Sequence, residues 1–212
     1  MEDPGLRARK RRETRAALSM AALRLCMGRG WDQVTVSDIA AAANVSPRTF
    51  RNYFSTKAEA VAAGHHERLL RIADEFRARP AGEPLWTAMT HAVAMQFETP
   101  AAKSGTSHDT ADANASRWRE RIQFLFTEPA VRAAVLVAAA DAEGELAKAI
   151  AERTGLKRSK SIYPQLAAAI AIAVVGVVSE RWLREGPTGS IVPPLRKAFD
   201  LVAAGLRESK GR

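Results

Sequence analysis

The chain has 212 residues, 47% of them hydrophobic and 6% aromatic, with a formal net charge of +9. That length is enough for a small head with a larger body, and the charge asks for a polyanionic partner, nucleic acid or an anionic membrane surface. A single cysteine, Cys26, excludes an intrachain disulfide and fits a reducing cytoplasm, and the charged N-terminus lacks the apolar segment of a signal peptide.

The first predicted helix runs from Arg7 to Gly30. It opens on a basic cluster, Arg7, Arg9, Lys10, Arg11, Arg12 and Arg15, and continues with Ala17, Leu18, Ala21, Ala22 and Leu25 at helical spacing. Cys26 lies in this apolar part and reads as a small buried hydrophobe. Gly28 and Gly30 supply the stop. Residues 1–60 hold 11 Lys+Arg against 6 Asp+Glu, giving +5, so the charge excess is concentrated in this first part. Arg9, Arg11 and Arg12 are therefore candidate phosphate or minor-groove contacts.

A short connection leads to Thr35, an N-cap with Asp38 three residues on, in the pattern of a capping box. Ile39, Ala40 and Ala43 give a narrow apolar face, and Asn44 suits the left-handed turn that ends the helix. Ser46 and Pro47 start another helix as cap and first residue. Phe50 and Phe54, four apart, face its core side, which leaves Arg48, Thr49, Arg51, Asn52 and Tyr53 outward. A short helix of this kind fits the major groove of double-stranded DNA. Arginine can grip guanine with two hydrogen bonds, asparagine can do the same for adenine, and a threonine methyl can touch thymine. Tyr53, Lys57, Thr35 and helix N-terminal amides would hold phosphates, and Ser46 and Pro47 complete the candidate DNA-binding set.

Ser55 caps a long amphipathic helix from Thr56 to about Arg79, broken by Pro80, Gly82 and Pro84. Leu85 to Glu98 carries Trp86, Met89, His91 and Phe97. Thr99 to Asp112 reads as a mobile polar loop. Helical pattern resumes from about Asn114 to Phe126 with Trp118, Ile122 and Leu125 in register, and a further helix follows Thr127–Pro129 to about Thr154. Tyr163 to Glu185 is the most apolar helix. Its longest apolar run, Leu166 to Val178, falls short of the roughly 20 residues that span a bilayer, so no membrane partner is expected. Gly186 to Pro194 links it to a last helix with Leu195, Phe199, Val202 and Leu206.

An enzyme is not expected. His65 and His66 are helix neighbours pointing apart, and no phosphate loop, nucleophile elbow or Cys/His cluster is present. Neither a cofactor nor a metal is implied.

Residues from about Arg12 to Val61 resemble the DNA-binding domain of the TetR family of one-component transcriptional regulators. The resemblance rests on Gly30, Thr35, Val36, Ile39, Ala40, Ala43, Val45, Ser46, Thr49, Phe50, Phe54 and Lys57. It departs at Asn44, where the family usually has glycine, and at Arg51, where it usually has an aromatic residue. The resemblance implies an all-α chain: residues 1–55 as a three-helix DNA-binding domain with a helix-turn-helix and basic arm, 56–212 as a helical effector-binding and dimerisation domain. It further implies a homodimer on a near-palindromic operator, most often a repressor, released by a small-molecule effector. Within that scheme Trp86, Met89, Phe97, Trp118 and Phe124 are candidate effector contacts, with His91 as a polar anchor. Ile172, Val175, Val178 and Trp182 with Leu195, Phe199, Val202 and Leu206 form the candidate dimer interface, half of a four-helix bundle. The reading of another class is an effector-independent architectural protein that coats DNA, which would discriminate little between random and operator DNA.

Overall fold

A computed structural model describes residues 4–98, 121–157, 159–185 and 190–206. Among them every regular element is helical: α1 (Pro4–Arg29), α2 (Val36–Ala42), α3 (Pro47–Arg51), α4 (Lys57–Ala78), α5 (Leu85–Phe97), α6 (Arg121–Thr127), α7 (Pro129–Thr154), α8 (Tyr163–Glu185) and α9 (Val192–Ala203). The all-α expectation is met. The expected loop at Thr99 to Asp112 and the residue Trp118 lie outside the described residues.

The described residues pack into two compact units. The first comprises residues up to Glu67 together with Glu120–Ala138; the second comprises the remainder, so α4 and α7 contribute to both.

The first unit is built on local signals. Leu18, Ala21, Ala22 and Cys26 of α1 turn one stripe inward, as a 3.6-residue period requires. Gly30, at φ +93°, adopts the left-handed conformation that ends α1, and its amide returns to the Cys26 carbonyl at 3.0 Å. Against the α1 stripe pack Val34, Ile39, Ala40, Phe50, Phe54 and Val61, joined from further along the chain by Leu125 and Val131. Phe50 and Phe54 are fully buried, with ring centroids 5.7 Å apart.

In the second unit, Leu69, Ile72 and Phe76 of α4 meet Met89 and Val93 of α5, Leu146 and Ile150 of α7, and Ala168, Ile172 and Val175 of α8. Leu195 and Phe199 of α9 close the core. α9 begins earlier than the sequence pattern suggests. Pro193 and Pro194 sit in its first turn, where a missing amide costs nothing and a fixed φ helps. It also ends earlier: Gly205 and Leu206 both take positive φ, so Leu206 lies beyond the helix and is exposed.

α8 has the length and composition of a membrane span, with a mean hydropathy of 1.8 over its most apolar 18 residues, yet only 28% of that stretch is buried. The helix is buried on one side only. Leu166 is 52% exposed and Val177 65%.

Candidate nucleic-acid interface

α2 and α3 are held by side-chain caps. The Thr35 hydroxyl accepts the Asp38 amide at 3.1 Å, and the Asp38 carboxylate accepts the Thr35 amide at 2.8 Å. The Thr35 hydroxyl also donates to that carboxylate at 2.5 Å, and with the Thr35 amide it holds the Asp38 carboxyl below its ordinary pKa. The turn follows at once. Asn44 takes φ +57°, and the Val45 amide reaches back to the Ala40 carbonyl at 2.9 Å. Asparagine tolerates this conformation through its short polar side chain, so the missing glycine leaves the turn intact. Ser46 then caps α3, its hydroxyl accepting the Thr49 amide at 3.0 Å, with Pro47 in the first turn.

Arg48, Arg51 and Asn52 come out exposed on the far side of α3 from the buried Phe50. Ser46 and Pro47 are exposed beside them. Thr49 is half-buried, and its hydroxyl lies 2.9 Å from that of Ser46 inside the cap. Its methyl is then the part suited to a base contact. Asn52 closes α3 as its C-cap, one residue past the helix.

The basic stretch is helical from Pro4 and forms the outer end of α1. Arg7, Arg9, Lys10, Arg11 and Arg12 are exposed there. Arg9 makes a local pair with Glu13 at 3.1 Å, open to solvent and therefore weak. The Arg11 guanidinium lies 5.9 Å from the centre of the half-buried Tyr53 ring, joining the basic end of α1 to the end of the α3 turn.

Two cations are used internally. The Lys57 ammonium donates to the carbonyls of Trp31 and Val34, at 2.6 and 2.8 Å, and lies 4.0 Å from the centre of the Trp31 ring. It therefore ties the α1–α2 connection to the start of α4. An ammonium has three protons, and two are thus committed, which leaves one for the phosphate contact expected of Lys57. Its charge also partly opposes the rise that burial causes in the Cys26 thiol pKa.

Arg15 is the functional residue least obvious from the basic cluster. Its guanidinium donates to the Tyr53 carbonyl at 3.0 Å, stacks 4.4 Å from the Phe54 ring centre, and pairs with Glu67 of α4 at 3.6 Å. A signal for this exists in the sequence. Arg11, Arg15, Leu18 and Ala22 are spaced 4, 3 and 4, so Arg15 continues the inward stripe of α1.

Of the candidate effector residues, three share the second unit. Met89 is fully buried in the core of the second unit, with Trp86 and Phe97 packed at its edge. Phe124 belongs to the first unit, 66% exposed, beside a cleft lined by Cys26, Met27, Trp31, Arg121 and Leu125. His91 holds Glu83 through Nδ1 at 2.8 Å. The candidate dimer residues also need correction. Ile172, Val175, Leu195 and Phe199 are buried inside one protomer, and Val178 and Trp182 pack partly against the same core. Because α8 is apolar nearly all round, periodicity could not say which side faces inward. Its open apolar side carries Leu166, Ala173 and Val177.

Known proteins match both ends of the chain. The profile described as "Bacterial regulatory proteins, tetR family" matches residues 20–63, and that described as "MftR C-terminal domain" matches residues 83–207. The HTH-type transcriptional regulator TcmR of Streptomyces glaucescens is 31% identical over 208 residues, covering 96% of this chain and 87% of TcmR. MftR of Mycobacterium tuberculosis, a transcriptional regulator assigned to mycofactocin biosynthesis, is 28% identical over 203 residues, covering 93% of each chain. Among solved structures, the fatty acid degradation regulator FadR from Bacillus halodurans shares the fold with a TM-score of 0.52 at 15% identity, over 98% of this chain and 99% of that one.

Proposed function

Because this chain belongs to the TetR family of transcriptional regulators, we propose that it is a homodimeric, cytoplasmic repressor released from its operator by a small-molecule effector. The observation that carries the reading is the exposed set Arg48, Arg51 and Asn52 on a capped helix whose other side is anchored by Phe50. Caps and core fix the helix; nothing in them needs two arginines and an asparagine pointing to solvent. In a major groove these three read base edges, while the exposed Arg9, Arg11 and Arg12 of α1 neutralise phosphates.

Two such heads on a two-fold dimer read a near-palindromic site, with half-sites one helical turn apart, about 34 Å, or a multiple of it. The second copy covers the open apolar side of α8 at Leu166, Ala173 and Val177, joined by Leu201 of α9. That accounts for an apolar helix left half uncovered without placing it in a membrane. An effector in the second unit acts through α4, which contributes its first half to the DNA-reading unit and its second half to the other. Its leverage equals its preference for the non-binding shape; equal affinity for both shapes would move nothing. No step of this scheme is catalytic.

The test is operator binding by Arg48→Ala and Arg51→Ala, on a site selected from random DNA. Each substitution that removes a base contact costs about 1–3 kcal/mol and relaxes preference at one position. Wild-type affinity and selectivity in both variants would defeat the assignment of α3 as the reading helix.

A further inference from the structure

The second unit carries a groove of about 270 Å³ between α5 and α9, apart from the apolar interior. Its walls bring together side chains of unlike chemistry. The half-buried Trp86 forms the aromatic floor, backed by the buried Phe199, with ring centroids 6.4 Å apart and planes inclined by 35°. Arg196 and Asp200 stand one turn apart on α9, and His91 faces them from α5.

The two charged groups are available. Arg196 and Asp200 do not close on each other. Arg196 reaches Glu98 only at 3.9 Å, a long contact with both side chains at least one-third exposed. His91 is oriented from behind. The Glu83 carboxylate accepts from its Nδ1 at 2.8 Å and is held fully ionised by Arg79, which donates two hydrogen bonds at 2.8 and 2.9 Å. With Nδ1 donating to Glu83, Nε2 is the ring nitrogen left for the groove.

We propose that this groove binds a small zwitterion with a flat apolar group, of the size of an aromatic amino acid. The Arg196 fork takes the carboxylate. Asp200 takes the ammonium, with His91 beside it, and the flat group lies on Trp86, which Phe199 backs. The volume, just below the range of about 300–1,000 Å³ usual for small-molecule sites, sets the size. The same ligand gives the effector of the regulator reading an address, and that part rests on it. His91 is shared between the groove and the α4–α5 turn, where Glu83 binds Arg79 at the end of α4 and Arg153 of α7 donates to the Glu83 carbonyl at 2.7 Å. Leu201 lies about 100–160° around α9 from the wall residues of the groove, by 100° per residue, so a second copy on its side leaves the groove open.

Equilibrium dialysis of the full chain with L-phenylalanine, 2-phenylethylamine and 3-phenylpropionate tests the site. L-phenylalanine should bind saturably and at least about tenfold more tightly than either single-charge probe. Arg196→Gln should remove its advantage over the amine, and Asp200→Asn its advantage over the acid. Both positions are exposed, and unchanged thermal melting confirms that the variants fold. Non-saturable binding, or variants that match wild type, would overturn the proposal. Operator affinity with and without L-phenylalanine is read separately. Retained binding with unchanged operator affinity sustains the groove and counts against its effector role alone.

Discussion

At the scale of single residues, the arginines of the N-terminal region divide into two classes that composition cannot separate. Arg12 is exposed and free to meet phosphate, whereas Arg15 is half-buried and holds the Tyr53 carbonyl, the Phe54 ring and Glu67. The two predict different salt behaviour. Arg12→Ala should lower the slope of log affinity against log salt by about 0.9, one phosphate's worth of released counterions. Arg15→Ala should leave that slope unchanged while weakening operator binding, by about 1–3 kcal/mol for a lost charged hydrogen bond that positions the α3 turn. Equal slopes in the two variants would remove the distinction. Arg48, Arg51 and Asn52 were legible from sequence because the opposite face is marked by Phe50 and Phe54. Lys57 was not: a lysine's reach lets the fold spend it on two backbone carbonyls that no local pattern announces.

At the scale of elements, the caps and turns are where local sequence decided the outcome. Thr35 with Asp38, Asn44, and Ser46 with Pro47 each act within three or four residues, so neighbours on the chain are neighbours in space. The α4–α5 turn is different. It is locked by Glu83, whose partners Arg79 and His91 are sequence-local, and by Arg153, which arrives from α7 and donates to the carbonyls of Arg79, Pro80 and Glu83. The Arg79 hydrogen bonds lower the Glu83 pKa from 4.5 to about 2, His91 adding to the effect. The folded pKa lies below the unfolded one. The turn therefore contributes its full ionic stabilisation above about pH 4.5, and loses it as pH falls toward 2. Urea midpoints measured from pH 5 to pH 2 should fall less steeply in Glu83→Gln than in wild type; parallel curves would show that the clamp carries no pH-dependent stability.

At the scale of the whole molecule, the proposed assembly turns on α8. It has one side committed to the protomer core through Ala168, Ile172 and Val175, and another that leaves Leu166 and Val177 open. Val177→Glu should shift the protein toward monomer in sedimentation at micromolar concentration and lower operator affinity with it, because one head alone loses the second half-site. A glutamate there is tolerable to a lone protomer and costly only where apolar surface is to be covered. An unshifted dimer would place the interface elsewhere. The core-facing substitution Val175→Glu is no substitute for this experiment, since it would unfold the protomer first.

The sequence by itself determined the helical class, where α1 stops, where α2 and α3 start, and the three outward side chains of the α3 segment. Each depends on groups within about one or two helical turns of one another, and caps, turns and amphipathic period act at that range. Only the tertiary structure decided that Arg15 and Lys57 brace the head, that Leu125 and Val131 complete its core, and that Phe199 is interior while Val177 is not. These depend on which of several equally apolar or equally charged faces a distant helix covers. On a helix apolar all round, such as α8, local pattern carries no direction; packing against α4, α5, α7 and α9 supplies it.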